Sequence, residues 1–224
     1  MQIADAEFLT DDLPAQKEFY LNRLGLAVIN ENENSFTVYT GLSKLTFRKD
    51  INNRSPYYHF AINIPENQIE EAIEWLNSKN ISLIEHDNSP LIDFKNWNAH
   101  SVYFYDTCGN IVELIARHNL PNKSIIPFSQ SSFLCISEIG MPVENVKSFV
   151  ELLEDKLGEK KWSGNFENFA AVGDEDGLFI VVTTQRNWFP TDKPCNQYPF
   201  LVKIYSPQLP SVEIEEQSYK IIVL

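Results

Sequence analysis

The chain repeats itself, and the repetition restricts its fold more than any other feature. Residues 3–25 read IADAEFLTDDLPAQKEFYLNRLG, an alternating stretch from Ile3 to Leu9 and then a helix signal. Asp12 is placed to cap that helix, Pro14 falls in its first turn, and Gly25 supplies its stop. Residues 133–158, FLCISEIGMPVENVKSFVELLEDKLG, follow the same plan. With Gly25 set on Gly158, Asp12 falls on Asn145 and Asp5 on Glu138. A third copy, YYHFAINIPENQIEEAIEWLNSKN, occupies 57–80, with Ile69, Ala72, Ile73 and Leu76 along one helical face. In that copy Asp5 falls on His59.

Short strand-like runs follow each helix. They lie at 26–29, 35–39 and 44–48, at 82–86, 101–105 and 111–116, and at 160–162, 169–172 and 178–184. Each unit is therefore βαβββ, and the fold class is α+β. A polar, Pro-containing stretch at 119–132 is the natural linker. A fourth unit looks truncated, with strands at 198–205 and 219–224 and a loop-like 206–218 between them. The expected division is a complete two-unit module at 1–118, the linker at 119–132, and a degenerate module at 133–224.

Composition narrows the partners. There are 18 Lys and Arg against 31 Asp and Glu, a net charge of −13 that argues against nucleic acid and anionic lipid. The opening MQIADAEFLTDD has no basic or apolar leader character, and no apolar run approaches the ~18 residues of a membrane helix. Three cysteines without a CxxC suggest reduced thiols and a cytoplasmic protein. The expected partner is a small molecule, with neither nucleic acid nor membrane, on a monomer or homodimer.

The spacing DL-x5-FY-x3-LG, carried by Asp12-Leu13, Phe19-Tyr20 and Leu24-Gly25, resembles the vicinal oxygen chelate superfamily. So does the run from Tyr103 to Leu114, YFYDTCGNIVEL, which is similar to that family's YF-x-DPxGN-x-(V/I)EL hairpin. The superfamily includes glyoxalase I, bleomycin-resistance proteins and extradiol dioxygenases. The resemblance implies repeated βαβββ units forming curved mixed sheets around a cavity, with two units making one sheet. It also implies a divalent metal (Fe, Mn, Zn, Mg or Ni) acting as a Lewis acid on a substrate with two adjacent oxygens. The activity would be that of a glyoxalase-like lyase or isomerase, or of a ring-cleaving dioxygenase. The alternative is a metal-free binding protein like those conferring bleomycin resistance.

Carried over residue by residue, the resemblance puts metal ligands at His59 on a first strand and Glu113 on a last strand. Strand alternation places His59, Ala61 and Asn63 on one face, the cavity side, which makes Asn63 a candidate for substrate binding. Glu113 also stands in an otherwise apolar run, where a carboxylate needs a partner. Asp5, or Glu7 two residues on, would complete the set from the first unit. If the hairpin pairs Tyr105 with Asn110, His100 shares the face of Glu113 and joins it as a catalytic candidate. Arg186 and Trp188, in a loop mixing cations and aromatics, are candidates for binding an anionic or aromatic ligand.

Overall fold

The computed structural model describes residues 1–52, 54–206 and 213–224. The first unit comprises β1 (Gln2–Thr10), α1 (Leu13–Glu18), β2 (Val28–Asn32), β3 (Ser35–Thr40) and β4 (Ser43–Lys49). Helix α1 runs on as a π-helical turn over Phe19–Arg23. The second unit is β5 (His59–Ile64), α2 (Ile69–Ser78), β6 (Leu83–Ile84), β7 (Ile92–Phe94), β8 (Ala99–Tyr105) and β9 (Ile111–Arg117). The third is β10 (Cys135–Val143), α3 (Val146–Leu157), β11 (Lys161–Gly164), β12 (Phe169–Asp174) and β13 (Gly177–Thr183). The fourth keeps β14 (Phe200–Tyr205), β15 (Glu213–Glu216) and β16 (Tyr219–Val223). Strand β15 corrects the loop expected at 206–218, of which 207–212 lie outside the described residues; it pairs antiparallel with β16.

Capping explains the helix ends. Asp12 accepts a hydrogen bond from the Ala15 N–H at 3.0 Å, and Asn145 does the same for Ser148 at 3.0 Å. Gly158 closes α3 at φ +67°, a left-handed conformation that a Cβ would oppose. No helix among the described residues is long and apolar enough to cross a membrane.

The sheets do not pair the units in the expected way. One sheet has the order β15-β16-β14-β1-β4-β3-β2, and the other β11-β12-β13-β10-β5-β9-β8-β6, with β7 also on β8. The first unit thus joins the fourth through antiparallel β1 and β14, and the second joins the third through antiparallel β5 and β10. The expectation of one sheet from units one and two is corrected. A repeat fixes the order inside each unit, but every first strand offers the same open edge, so the repeat cannot say which two edges meet.

The larger core lies where the two sheets meet each other and the helices. Phe60, Ile62 and Ile64 of β5, Val112 and Leu114 of β9, and Ile139 and Met141 of β10 all belong to it. Phe8 of β1 ties the sheets together, its ring 4.5 Å from that of Tyr58 and 5.3 Å from that of Phe60. Burying one such ring contributes about 1.5–3 kcal/mol. The opposite face of the second sheet carries a smaller set, including Ile111, Leu178, Ile180 and Trp188, and curves around a cavity.

Candidate functional site

Three buried side chains with metal-binding chemistry converge at that cavity. His59, Glu113 and Glu138 offer one nitrogen and two carboxylate oxygens, all within 4.8 Å of one another. They are 5%, 2% and 3% exposed, so they meet away from bulk water. The strand registers account for the meeting. Ala61 stands beside Glu113 in the parallel β5–β9 pair and beside Glu138 in the antiparallel β5–β10 pair, so Glu113 and Glu138 flank β5 from both sides.

The histidine is oriented for coordination. Its Nδ1 faces the Ile111 carbonyl at 3.1 Å; donating there leaves the Nε2 lone pair toward Glu113 at 3.7 Å and Glu138 at 4.0 Å. Burial holds the ring neutral, lowering its pKa to about 4. Burial, and then the charge of Glu138, push Glu113 up to about 8. Ser101 donates to the other oxygen of Glu113 at 2.5 Å. Burial also raises Glu138, against the pull of Arg117, which is wholly buried and donates Nη2 to one of its oxygens. The second oxygen of Glu138 stays on the His59 side. A neutral imidazole beside two carboxylates that burial and mutual repulsion keep from ionising together fits a divalent cation, which would favour ionisation of both. His59, Glu113 and Glu138 are the residues that would hold it.

The cavity above these groups measures about 260 Å³. Its walls include Phe94, Trp97, Tyr103, Phe169, Trp188, Phe189 and Arg186. Trp188 lies over the histidine, ring centres 5.1 Å apart. Gly140 makes room for it, since a Cβ there would sit 2.3 Å from the Trp188 ring.

The sequence-derived candidates distribute as follows. His59 and Glu113 come together. Asp5 and Glu7 do not join them: they belong to the other sheet, where Asp5 pairs with Lys203 at 3.1 Å and Glu7 with Arg48 at 2.9 Å. His100 also lies elsewhere. The hairpin pairs Tyr105 with Ile111 and Tyr103 with Glu113, one residue off the assumed register, so His100 falls opposite Ala116 and faces away from Glu113. There its Nδ1 meets Nε2 of His118 at 2.8 Å. Asn63 is buried but is not among the cavity-lining residues; its side-chain oxygen accepts from Arg117 Nε at 3.1 Å. Arg186 and Trp188 do line the cavity. The residue not proposed from sequence is Glu138, whose signal was its match to Asp5 and hence to His59 across the repeats.

No family model matches the sequence. The metallothiol transferase FosB of Staphylococcus saprophyticus is 30% identical over 112 residues, covering 48% of this chain and 71% of FosB. Among solved structures, a candidate dioxygenase from Bacillus subtilis superposes with a TM-score of 0.66 at 12% identity, over 100% of this chain and 85% of that one. Glyoxalase I from Zea mays does so with a TM-score of 0.60 at 13% identity, over 99% of this chain and 91% of that one. These two likenesses establish a shared fold through all four units. The FosB match adds relatedness in sequence, and on that footing the chain belongs to the vicinal oxygen chelate superfamily.

Proposed function

We propose that this protein is a divalent-metal-dependent enzyme acting on a small molecule with two adjacent oxygens, as a glyoxalase-like lyase or isomerase or as a thiol transferase. The observation that carries the reading is the convergence of His59, Glu113 and Glu138 beside a cavity of small-molecule size. The name of the relative FosB, a metallothiol transferase, supports a metal and makes thiol transfer one reaction to assay. When bound, the metal would polarise the substrate's oxygens and stabilise negative charge developing on them.

The chain's own residues supply the remainder. The aromatic walls exclude water and orient the substrate. Tyr103, whose phenol burial and the neighbouring Glu113 keep protonated, lines the cavity and shares its proton with Glu113, holding that carboxylate in place. A ring-cleaving dioxygenase would call for two imidazoles and one carboxylate. One imidazole and two carboxylates favour redox-neutral chemistry with a hard cation such as Mn²⁺ or Mg²⁺, or with Zn²⁺. The free thiols Cys108, Cys135 and Cys195 support a reducing compartment, the cytoplasm.

Metal analysis of protein purified without a His tag tests the reading. One equivalent per chain is expected, lost in both His59→Gln and Glu138→Gln. A Glu113→Gln/Glu138→Gln double variant that keeps its metal would sink it. A metal-free binding protein is the second reading, favoured by the Arg117 guanidinium already partnering Glu138. It predicts no metal and ligand binding indifferent to chelator.

A further inference from the structure

One wall of the cavity is a chain of aromatic rings that ends beside Glu113. Phe169, Trp97, Phe94, Phe189 and Tyr103 follow one another with centre-to-centre distances of 6.2, 6.1, 5.9 and 6.3 Å. They come from four separate stretches of chain in two units, so this wall is a property of the assembled fold. At its Phe169 end sits Arg186, the guanidinium carbon 6.0 Å from the ring centre. Its Nε donates to the Asn187 carbonyl at 3.1 Å. Its two terminal nitrogens have no hydrogen-bond or ion-pair partner among the described residues.

Charge balance makes that guanidinium informative. Arg186 is the one Lys or Arg among the cavity-lining residues, in a chain of net charge −13. The carboxylates below it are already matched, since a divalent cation would offset both and Arg117 pairs with Glu138 besides. The loaded cavity would therefore be cationic, with donors left over in an apolar, partly desolvated setting. A volume of about 260 Å³ admits one ring and a small substituent.

We propose that the substrate is a single-ring aromatic acid, its ring against the Phe94–Trp97–Phe169 wall and its carboxylate or phosphonate on Arg186. The inference rests on the metal-site reading for the catalysis, but the anion contact and the ring contact belong to the cavity itself. The aromatic wall selects a flat, polarisable body over an aliphatic one. The guanidinium selects an anion over its neutral isostere. Arg186 and Phe169 thus become residues that determine specificity.

Isothermal titration of the intact protein, once metal-loaded and once after chelation, tests this with named probes. Salicylate, benzoate and phenylphosphonate are the aromatic anions, benzamide is the neutral control, and cyclohexanecarboxylate is the aliphatic control. At least one aromatic anion should bind saturably, and about tenfold more weakly to Arg186→Gln, the loss expected for one charge-assisted hydrogen bond. Arg186→Lys should recover part of the affinity. Benzamide and cyclohexanecarboxylate should each bind about tenfold more weakly than benzoate. Melting temperatures of the variants within a few degrees of wild type certify their folding; a misfolded Arg186→Gln passes the decision to the two control probes. No binding by any aromatic anion, equal binding of either control, or indifference to Arg186→Gln overturns the proposal. Failure of the metal reading would look different: metal analysis would come out blank while the chelated protein still ranked the probes by charge and ring.

Discussion

Two carboxylates and an imidazole packed together out of water must settle their protons among themselves, and that has measurable consequences. Glu113 is pushed up to about 8 from an ordinary 4.5. Between those values the folded state holds a proton that the unfolded chain releases, so its contribution to stability falls as pH rises from about 4.5 to about 8. His59 works in the other window: depressed from 6.5 to about 4, it costs stability as pH falls through that range. Above pH 6.5 the His59 effect is complete, and what remains comes from Glu113 together with Glu138, which burial also raises. Calorimetry in the presence of chelator should show the melting temperature dropping between pH 6.5 and 8 in the wild type and dropping less in Glu113→Gln; a level wild-type profile would count against the paired carboxylates. Arg117 is the structural counterweight, buried, bonded to Asn63 and Glu138, and with its guanidinium carbon 5.6 Å from the Trp97 ring centre. Arg117→Met strands the Glu138 charge and should cost about 3–5 kcal/mol in urea unfolding, most of it restored in Arg117→Met/Glu138→Leu. If the single variant is neutral, the pair does not hold the floor of the cavity. His59 and Glu113 were legible in the sequence because the family resemblance puts ligands at both positions, and Glu113 also because a carboxylate inside an apolar strand is conspicuous. Glu138 was equally inward but sat in a unit whose hairpin lacks a second carboxylate, and no local signal says that a ligand set is assembled from two units.

Elements decide where those residues point, and the β8–β9 hairpin is the sharpest case. The reading from sequence put Asn110 in the strand opposite Tyr105. In the structure Asn110 belongs to the turn, because Asp106 collects it: the carboxylate accepts the backbone N–H groups of Cys108 at 3.1 Å and Asn110 at 2.9 Å, and the Asn110 amide at 2.7 Å. Tyr20 donates to the same carboxylate at 2.9 Å, fixing the hairpin to the end of the first helix. With Asn110 taken up, Ile111 opposes Tyr105 and every later side chain changes face relative to that reading, which is why Tyr103 and not Val102 stands beside Glu113. Turn chemistry thus sets the aim of a ligand seven residues from Asp106. Asp106→Ala removes several buried acceptor contacts at once and should destabilise the fold by about 3 kcal/mol or more. It should also weaken metal binding, although residue 106 touches none of the ligands, whereas Asp106→Asn should retain more of both. Urea unfolding alongside a metal titration reads the two effects; stability lost with metal affinity intact would separate the hairpin from the site. Alternation within strands and helix caps was readable from local spacing, but register depends on which turn residues the rest of the fold captures.

The whole molecule is two sheets of matching origin and unequal equipment. Where β5 carries His59, β1 carries Asp5, and Lys203 from β14 neutralises it with an ion pair. Where Glu113 stands beside Ala61 in the second sheet, Thr46 stands beside Glu7 in the first. The first sheet therefore keeps the shape of a site without its histidine, and the two carboxylates of β1, Asp5 and Glu7, are each drawn into an ion pair, with Lys203 and Arg48. This pairing was not recoverable from the repeats, since four near-equivalent units permit the first to join either the second or the fourth. It has a stoichiometric consequence. The full chain should bind one divalent ion; Asp5→Asn should leave that number unchanged, and His59→Gln should bring it to zero. Residues 1–118 expressed alone contain His59 and Glu113 but lack Glu138, and they leave β1 and β5 without their partners β14 and β10. That fragment should self-associate through its open first-strand edges and bind metal at least about a hundredfold more weakly, the cost of a missing ligand and its buried support. Light scattering and metal titration of the fragment test both statements. A monomeric 1–118 with full metal affinity would mean that the first two units form a sheet of their own, and the site would then have to be rebuilt without Glu138.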